Sequence, residues 1–254
     1  MPYFKYNDKS CYFEEQGEGI PVLFLHGNTA SSNMFYDVIE TYTKDYKVIL
    51  IDFLGHGKSD RVEKLNTDLW YDEALQVIAF LEQTKYKKVH LIGSSGGALV
   101  AINVALERPD LVDKVIADSF EGEIPIKEFT QNVIADRTVS KQDEGAKEFY
   151  FSMHGSDWES IVDNDTMAIY EHAKSIGKFF HKPLSTLHSE ILLTGSKEDE
   201  FVSLINPDYF STVYTNLIEK IGHGEMHIFP KGGHPALLSN RDEFVMIAKK
   251  FLHR

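Results

Sequence analysis

A serine flanked by closely spaced glycines is the strongest chemical feature of this sequence. Ser95 lies between Gly93 and Gly97, directly after the apolar run Val89–Ile92 and directly before a helical segment. A turn sharp enough to present a hydroxyl at the end of a strand crowds its own backbone, and glycines two positions away relieve that crowding. The following helix start directs N–H groups and its dipole at negative charge. The spacing predicts a serine nucleophile, and the strand-then-helix setting disfavours the alternative of a merely packed turn.

Histidine is the residue type that would activate this serine, because its unperturbed pKa of about 6.5 lies near neutral pH. The chain has 11 histidines, so position must select among them. His234 follows two glycines, comes after the last apolar run and precedes a closing helical segment. An acid is also needed to orient the imidazole. The loop that follows the apolar run Ile191–Leu193 offers Glu198, Asp199 and Glu200.

Short apolar runs alternate with amphipathic stretches along most of the chain, a pattern typical of a mostly parallel sheet flanked by helices. The predicted strands are an opening hairpin of Tyr3–Tyr6 and Cys11–Glu14, then Val22–Leu25, Val48–Ile51, Val89–Ile92, Val112–Asp118, Ile191–Leu193 and Glu225–Phe229. Helices are predicted from about Ser31 or Ser32, over Asn66–Thr84, over 95–107, around 209–221 and at the carboxyl terminus.

The alternation breaks between about residues 119 and 187. Helical fragments rich in aromatic and acidic residues replace the buried strands there. No internal repeat, low-complexity tract or flexible linker marks a domain boundary. We therefore predict a single α/β domain over residues 1–254, with residues 119–187 as an insertion within it.

Four motifs together resemble the α/β-hydrolase family, and the resemblance covers nearly the whole chain. They are His26-Gly27-Asn28, the Asp52–Ser59 turn of the form D-x-x-G-x-G-x-S, the elbow at Gly93–Gly97 and Gly232-Gly233-His234. The chain order of serine, acid and histidine is also that of the family. The resemblance implies an α/β-hydrolase fold, with a mostly parallel central sheet flanked by helices and a helical cap formed by the insertion.

The resemblance also implies a catalytic triad of Ser95, His234 and one acid of the preceding loop. Aligned on the family's D-x-x-V ending, that loop selects Asp199 as the acid. Counting forward from Gly195 selects Glu198 instead. Asp199 is the preferred prediction, and Glu198 is the alternative.

The oxyanion hole and the substrate pocket follow from the same resemblance. The backbone N–H groups of Asn28 and Gly96 would form the oxyanion hole. Aromatic residues of the cap line the acyl or leaving-group pocket in the family. Phe149, Met153 and Trp158 are therefore the candidate substrate contacts.

The charge of the chain bears on its partners and surroundings. Asp and Glu number 39 against 26 Lys and Arg, a formal net charge of −13, which argues against nucleic acid or an anionic membrane as a partner. Cys11 is the single cysteine, so no internal disulfide is expected. The polar amino terminus lacks the apolar run expected of a signal peptide, and no stretch approaches the roughly 18 apolar residues of a membrane span. We expect a cytoplasmic protein that acts on a small molecule; no pattern indicates an oligomeric state.

These features predict hydrolysis of a small ester or related acyl compound through an acyl-enzyme, the activity of a carboxylesterase. No cofactor and no metal ion are expected. The same residues serve carbon–carbon bond hydrolases, lyases and acyltransferases, which remain open as alternatives. A slow-turnover ligand receptor or a non-catalytic binding protein is the alternative from a different class.

Overall fold

The described residues of the computed structural model, 2–84, 86–202 and 205–254, build one sheet of eight strands. The strand order across the sheet is β1-β2-β4-β3-β5-β6-β7-β8. The strands are β1 Tyr3–Tyr6, β2 Lys9–Gln16, β3 Ile20–Leu25, β4 Tyr46–Ile51, β5 Val89–Ser94, β6 Val112–Asp118, β7 Glu190–Ser196 and β8 Glu225–Phe229. Every strand predicted from the sequence lies within one of these, and the predicted fold class is confirmed.

The helices in the described ranges follow the predicted alternation. They are α1 Tyr36–Ile39, α2 Leu69–Thr84, α3 Gly96–Glu107, α4 Lys127–Ser140, α5 Glu144–His154, α6 Trp158–Ser175, α7 Tyr209–Ile221, α8 Ala236–Ser239 and α9 Arg241–Leu252. The helix predicted from about Ser31 is instead a 3₁₀ turn, Ser32–Phe35, followed by the four-residue α1. None of the helices in these ranges is long and apolar enough to cross a membrane.

The connections of the sheet place a crevice at one edge. Strands β3 to β8 run parallel, whereas β2 is antiparallel to both of its neighbours. The chain goes from β3 to β4 on one side and then crosses to β5 on the other side of β3. The loops after β3 and β5 therefore diverge at the carboxyl edge of the sheet, where open α/β sheets bind their ligands.

Alternate residues of the central strands pack into two apolar cores. Leu23 and Leu25 of β3 point to the side covered by α2 and α3. Val22 and Phe24 point to the opposite side, which is covered by α1 and α9. Both sets are fully buried, because a strand in the middle of a parallel sheet is covered on both faces. This double burial is why the central strands appear in the sequence as continuous apolar runs.

Three helices lie between β6 and β7. Helices α4, α5 and α6 occupy this part of the chain, and no strand occurs in residues 119–187, all of which the structure describes. Val133 of α4 and Ile169 of α6 are buried in the same core as α2 and α3. This packing ties the three helices to the sheet domain. The assignment of residues 119–187 as a cap within a single domain stays a prediction.

Candidate active site

Ser95 occupies the turn between β5 and α3. Its backbone has a φ of +56° and a ψ of −122°, a left-handed φ that residues with a side chain rarely adopt. The Ser95 N–H donates to the Asp118 carbonyl at 2.7 Å, which holds the turn against the end of β6. The turn thus brings the hydroxyl to the carboxyl edge of the sheet.

Gly93 and Gly97 permit this turn because they have no side chains. A Cβ at Gly93 would lie 2.1 Å from the Gly97 carbonyl oxygen, and a Cβ at Gly97 would lie 2.0 Å from the Leu25 carbonyl oxygen. Both distances are far shorter than a van der Waals contact. The glycine spacing in the sequence therefore reflects close packing of the turn against β3 and α3.

His234 lies in the loop between β8 and α8, beside Ser95. Its Nε2 is 2.9 Å from Ser95 Oγ, and its Nδ1 is 2.7 Å from Oδ2 of the buried Asp199. Burial alone would lower the pKa of His234, but the hydrogen bond and charge of Asp199 outweigh it and raise the pKa above its ordinary value. The three side chains form one hydrogen-bonded chain from hydroxyl to carboxylate.

The three acids of the loop after β7 have different partners. Asp199 contacts the ring of His234, as described above. Glu198 accepts a hydrogen bond from the Gly232 N–H at 3.3 Å, and Glu200 accepts one from the His234 N–H at 2.9 Å. Glu198, the alternative acid, therefore contacts the backbone of the histidine loop and not the imidazole.

Asp118, the last residue of β6, holds the segment that follows His234. Its carboxylate accepts hydrogen bonds from the Leu237 N–H at 3.0 Å and from the Thr194 hydroxyl at 2.7 Å. Burial raises the pKa of Asp118 to about 6, although these hydrogen bonds oppose the shift. The Ser119 hydroxyl accepts a further bond from the Ala236 N–H at 2.9 Å. The end of β6 thus positions the histidine loop.

The N–H groups predicted for the oxyanion hole lie on two loops that meet at Ser95. Gly96 is the first residue of α3, so its N–H has no partner within the helix. A Cβ at Gly96 would lie 2.3 Å from Asn28 Oδ1, and a Cβ at Gly27 would lie 3.5 Å from Ser95 Oγ. Across the described ranges, neither the Asn28 N–H nor the Gly96 N–H donates to another group. Both are available to an oxyanion.

Comparison with known families agrees with this architecture. The family model described as the alpha/beta hydrolase fold matches residues 20–176. The chain belongs to the α/β-hydrolase fold family. The resemblance stated from the four sequence motifs is thereby confirmed.

Several curated relatives of this α/β hydrolase are named hydrolases. The chain is 25% identical to a 2-hydroxy-6-oxo-6-phenylhexa-2,4-dienoate hydrolase of Comamonas testosteroni, over 98% of this chain and 93% of the relative. It is 34% identical to an (E)-2-((N-methylformamido)methylene)succinate hydrolase of Acinetobacter baylyi, over 43% of this chain and 41% of that protein. A proline iminopeptidase of Heyndrickxia coagulans is 38% identical over 42% of this chain and 37% of its own length. The matches of higher identity thus span less than half of those relatives.

Solved structures share the fold over the whole chain. An esterase from Exiguobacterium antarcticum superposes with a TM-score of 0.78 and covers 99% of both chains at 20% identity. At that identity the likeness shows the α/β-hydrolase fold alone.

The oxyanion loop of this α/β hydrolase is held by a buried carboxylate of α6. Asp165 Oδ2 accepts hydrogen bonds from the Thr29 N–H at 3.0 Å and from His56 Nε2 at 2.9 Å. The Asn28 side chain donates to Asp165 Oδ1 at 3.3 Å and accepts from Trp70 Nε1 at 3.1 Å. Burial would raise the pKa of Asp165, but the bond and charge of His56 lower it below its ordinary value. A charged Asp165 therefore orients the loop that carries the Asn28 N–H.

Replacement of Asp165 by asparagine is expected to destabilise the protein by about 2 kcal/mol, because the buried His56 ring and the Thr29 N–H lose a charged hydrogen-bond acceptor. Urea denaturation measures the effect. Asp163→Asn is the matched control, since Asp163 lies on the same helix with its side chain 60% exposed and pairs with Lys141; we expect it to cost less than about 1 kcal/mol. Equal losses for the two variants would contradict a role for the Asp165 hydrogen bonds in anchoring the loop of Asn28.

A cavity of about 460 Å³ opens onto Ser95 and His234. This volume lies within the roughly 300–1,000 Å³ typical of small-molecule sites. Its walls are mainly apolar and come from both the sheet domain and helices α4 to α6, with the aromatic members Trp70, Phe120, Phe129, Phe149, Tyr150, Phe201 and Phe210. The cavity therefore suits a small, largely apolar substrate.

The three predicted substrate contacts of the cap lie in different places. Phe149 lines the cavity. Met153 lines a separate surface groove beside α8, and its carbonyl accepts a hydrogen bond from the Ser31 hydroxyl at 2.9 Å. Trp158 stacks on Tyr150 with the ring centroids 5.5 Å apart, behind the cavity wall. Of the three, the structure thus brings only Phe149 to the cavity, because Met153 lies one turn further along α5 and Trp158 begins α6.

Several residues that shape the site were not identified from the sequence. Asp165 and Asp118 are two of the 39 Asp and Glu residues of the chain, and the hydrogen-bond partners described above for their carboxylates lie at least 76 residues away in the sequence. Trp70 lies within the helix predicted over Asn66–Thr84, with no sign in the sequence of a role at the site. No local pattern distinguishes these residues from others of their type. In the described ranges, no group of three or more His, Cys, Asp or Glu could hold a metal ion.

Proposed function

We propose that this α/β hydrolase is a carboxylesterase-type serine hydrolase that cleaves a small ester or related acyl compound. The observation that carries the proposal is the hydrogen-bonded chain of Ser95, His234 and Asp199 at the opening of an aromatic cavity. The two free N–H groups of Asn28 and Gly96 support it, since acyl transfer develops negative charge on oxygen.

In the acylation step, His234 Nε2 accepts the proton of Ser95 Oγ as this oxygen attacks the carbonyl carbon. The former carbonyl oxygen becomes negative and accepts hydrogen bonds from the N–H groups of Asn28 and Gly96. Asp199 stabilises the imidazolium that forms. The intermediate then collapses, the bond to the leaving alkoxide breaks, and His234 gives that oxygen its proton.

In the deacylation step, water replaces the alcohol. His234 takes a proton from water as the water oxygen attacks the acyl carbon, and it returns this proton to Ser95 Oγ when the ester to Ser95 breaks. The products are a carboxylic acid, an alcohol and the original enzyme. No residue beyond those named is needed to balance the protons.

Carbon–carbon bond hydrolysis is the second candidate reaction. The relative that matches over 98% of this chain is named for 2-hydroxy-6-oxo-6-phenylhexa-2,4-dienoate, a keto acid that contains no ester bond. The same nucleophile and oxyanion hole would serve cleavage next to a ketone. The two candidates differ in the bond that breaks and hence in the products.

The experiment that tests the proposal measures kcat/KM on p-nitrophenyl esters of increasing acyl length, together with product analysis on that keto acid. Turnover of short esters with release of a carboxylic acid supports the carboxylesterase, and the chain-length profile measures the depth of the cavity. Turnover of the keto acid without turnover of any ester would favour carbon–carbon hydrolysis. Binding of these compounds without turnover of either would support the ligand receptor.

The activity should fall in acid because His234 must be neutral to accept a proton. Asp199 raises the pKa of His234 above its ordinary value of about 6.5. His234 therefore remains protonated, and inactive as a base, up to a higher pH than a free imidazole does. We expect kcat/KM to fall about tenfold per pH unit on the acid side of an apparent pKa above about 6.5. A profile of kcat/KM on a short p-nitrophenyl ester measures it. A midpoint well below that value would contradict the Asp199–His234 coupling.

A further inference from the structure

Among the described residues that line the cavity, Arg137 is the only lysine or arginine. It lies in the last turn of α4, where a positive charge interacts favourably with the negative end of the helix dipole. An arginine at such a position normally extends into solvent. Here the side chain turns inward, and its Nε is shielded from solvent.

Arg137 also differs from the other arginines of the chain in its partners. The other four each form an ion pair with a carboxylate: Arg61 with Asp157, Arg108 with Asp110, Arg241 with Asp242 and Arg254 with Glu225. In the described part of the chain, no carboxylate lies within ion-pair distance of Arg137. The buried Asp165 acts on this positive charge only from beyond ion-pair distance. No carboxylate therefore pairs directly with the guanidinium at the wall of the cavity, and an anionic ligand would supply that pairing.

The guanidinium is held in place on one side only. Its Nη1 donates to the Tyr150 hydroxyl at 3.1 Å, and that hydroxyl is also 3.2 Å from Ser140 Oγ. Tyr150 is fixed in turn by its stacking on Trp158. Neither the Nε nor the Nη2 has an acceptor among the described residues. One edge of the guanidinium is thus anchored while the opposite edge has no partner.

We propose that Arg137 binds a carboxylate of the substrate, so that the natural substrate is an acyl compound that carries a second, anionic group. The proposal rests on the proposed function and names the substrate class of the same site. The Nε–Nη2 edge matches the two oxygens of a carboxylate and forms paired hydrogen bonds with it. This pairing requires the guanidinium to turn towards the cavity, which its long side chain permits.

The other charges of the cavity favour a monoanion over a dianion such as a phosphate monoester. Asp199 and Glu200 also line the cavity, as does Glu121, whose pKa burial raises to about 7, and the chain has a net charge of −13. A single guanidinium balances one carboxylate but not two negative charges in such surroundings. The substrate of this site is therefore a half-ester or a related acyl derivative of a dicarboxylic acid.

The test compares two esters that differ only in charge: mono-p-nitrophenyl glutarate and the p-nitrophenyl ester of glutaric acid monoamide. We expect Arg137→Gln to lower kcat/KM for the glutarate half-ester by about 10- to 100-fold, as for the loss of a charge-assisted hydrogen bond. The loss should appear mainly in KM, and the neutral ester should change little. Arg241→Gln removes the same charge from the exposed surface and is the matched control. Arg137→Lys retains the charge and should lie between the wild type and Arg137→Gln.

Equal losses on both esters would overturn the proposal and assign Arg137 a structural role through Tyr150. A wild type that hydrolyses both esters equally well would also overturn it, while leaving the serine esterase intact. If the wild type hydrolyses neither ester, the proposed function fails. Binding of a carboxylate at Arg137 is then measured without turnover. Calorimetric titration of Ser95→Ala with glutaric acid monoamide, which carries a single carboxylate, should then show binding that Ser95→Ala/Arg137→Gln lacks; absence of binding to Ser95→Ala would overturn the site.

Discussion

Replacement of Ser95 by alanine should lower kcat for a p-nitrophenyl ester by about a million-fold, the usual cost of removing a triad nucleophile. The physical reason is that the 2.9 Å contact between Ser95 Oγ and His234 Nε2 supplies the only route by which the attacking hydroxyl loses its proton. KM should change little, because the cavity walls stay in place. Stopped assays at high enzyme concentration measure the residual rate.

The matched control for this variant is Ser94→Ala, the same substitution one residue earlier. The Ser94 hydroxyl is buried and lies 3.3 Å from Asp118 Oδ2, away from the imidazole. Its removal should cost about 1 kcal/mol of stability, as for one buried hydrogen bond, with most of the activity retained. If Ser95→Ala keeps its activity while Ser94→Ala loses it, the nucleophile is assigned to the wrong serine.

Replacement of Asp199 by asparagine should lower kcat by about ten thousand-fold. Asp199 Oδ2 accepts the Nδ1 proton of His234 at 2.7 Å, which fixes the tautomer that leaves Nε2 free to act as the base. An amide loses the negative charge that stabilises the imidazolium, and it can present an N–H to Nδ1 and so favour the wrong tautomer. Comparison of kcat for the variant and the wild type on one ester measures the effect.

Glu198→Gln is the control that distinguishes the two candidate acids. Glu198 accepts only the Gly232 N–H, at 3.3 Å, and an amide oxygen can replace it there. We expect this variant to retain activity close to that of the wild type. The opposite result, a large loss for Glu198→Gln and a small one for Asp199→Asn, would transfer the role of acid to Glu198.

The sequence alone did not decide between Asp199 and Glu198 as the acid that contacts His234. Three consecutive acids, Glu198 to Glu200, lie in the loop after β7. Alignment on the D-x-x-V ending of the loop favoured Asp199, whereas counting forward from Gly195 favoured Glu198. In the structure, Asp199 is the buried member that faces the imidazole, whereas Glu198 and Glu200 contact backbone N–H groups. The backbone conformation of the loop determines which of the three acidic side chains points inward. The types of the residues alone do not specify that conformation.

The cap shows the same limit. Its helical character was predicted correctly, since residues 119–187 contain helices and no strand. Phe149 lines the cavity, whereas Trp158 supports Tyr150 from behind. An aromatic side chain in a cap helix is apolar in either position, so its type does not reveal whether it contacts substrate or another ring.

By itself, the sequence determined the strands, the elbow around Ser95 and the membership of the α/β-hydrolase family. These features depend on local physics: buried central strands need continuous apolar runs, and the turn at Ser95 needs glycines at 93 and 97. Only the tertiary structure decided which acid faces His234, that Asp165 holds the loop of Asn28, and that the Nε of Arg137 has no acceptor among the described residues. Asp165 and Thr29 lie 136 residues apart along the chain, and such partners are set by packing, which no local pattern specifies.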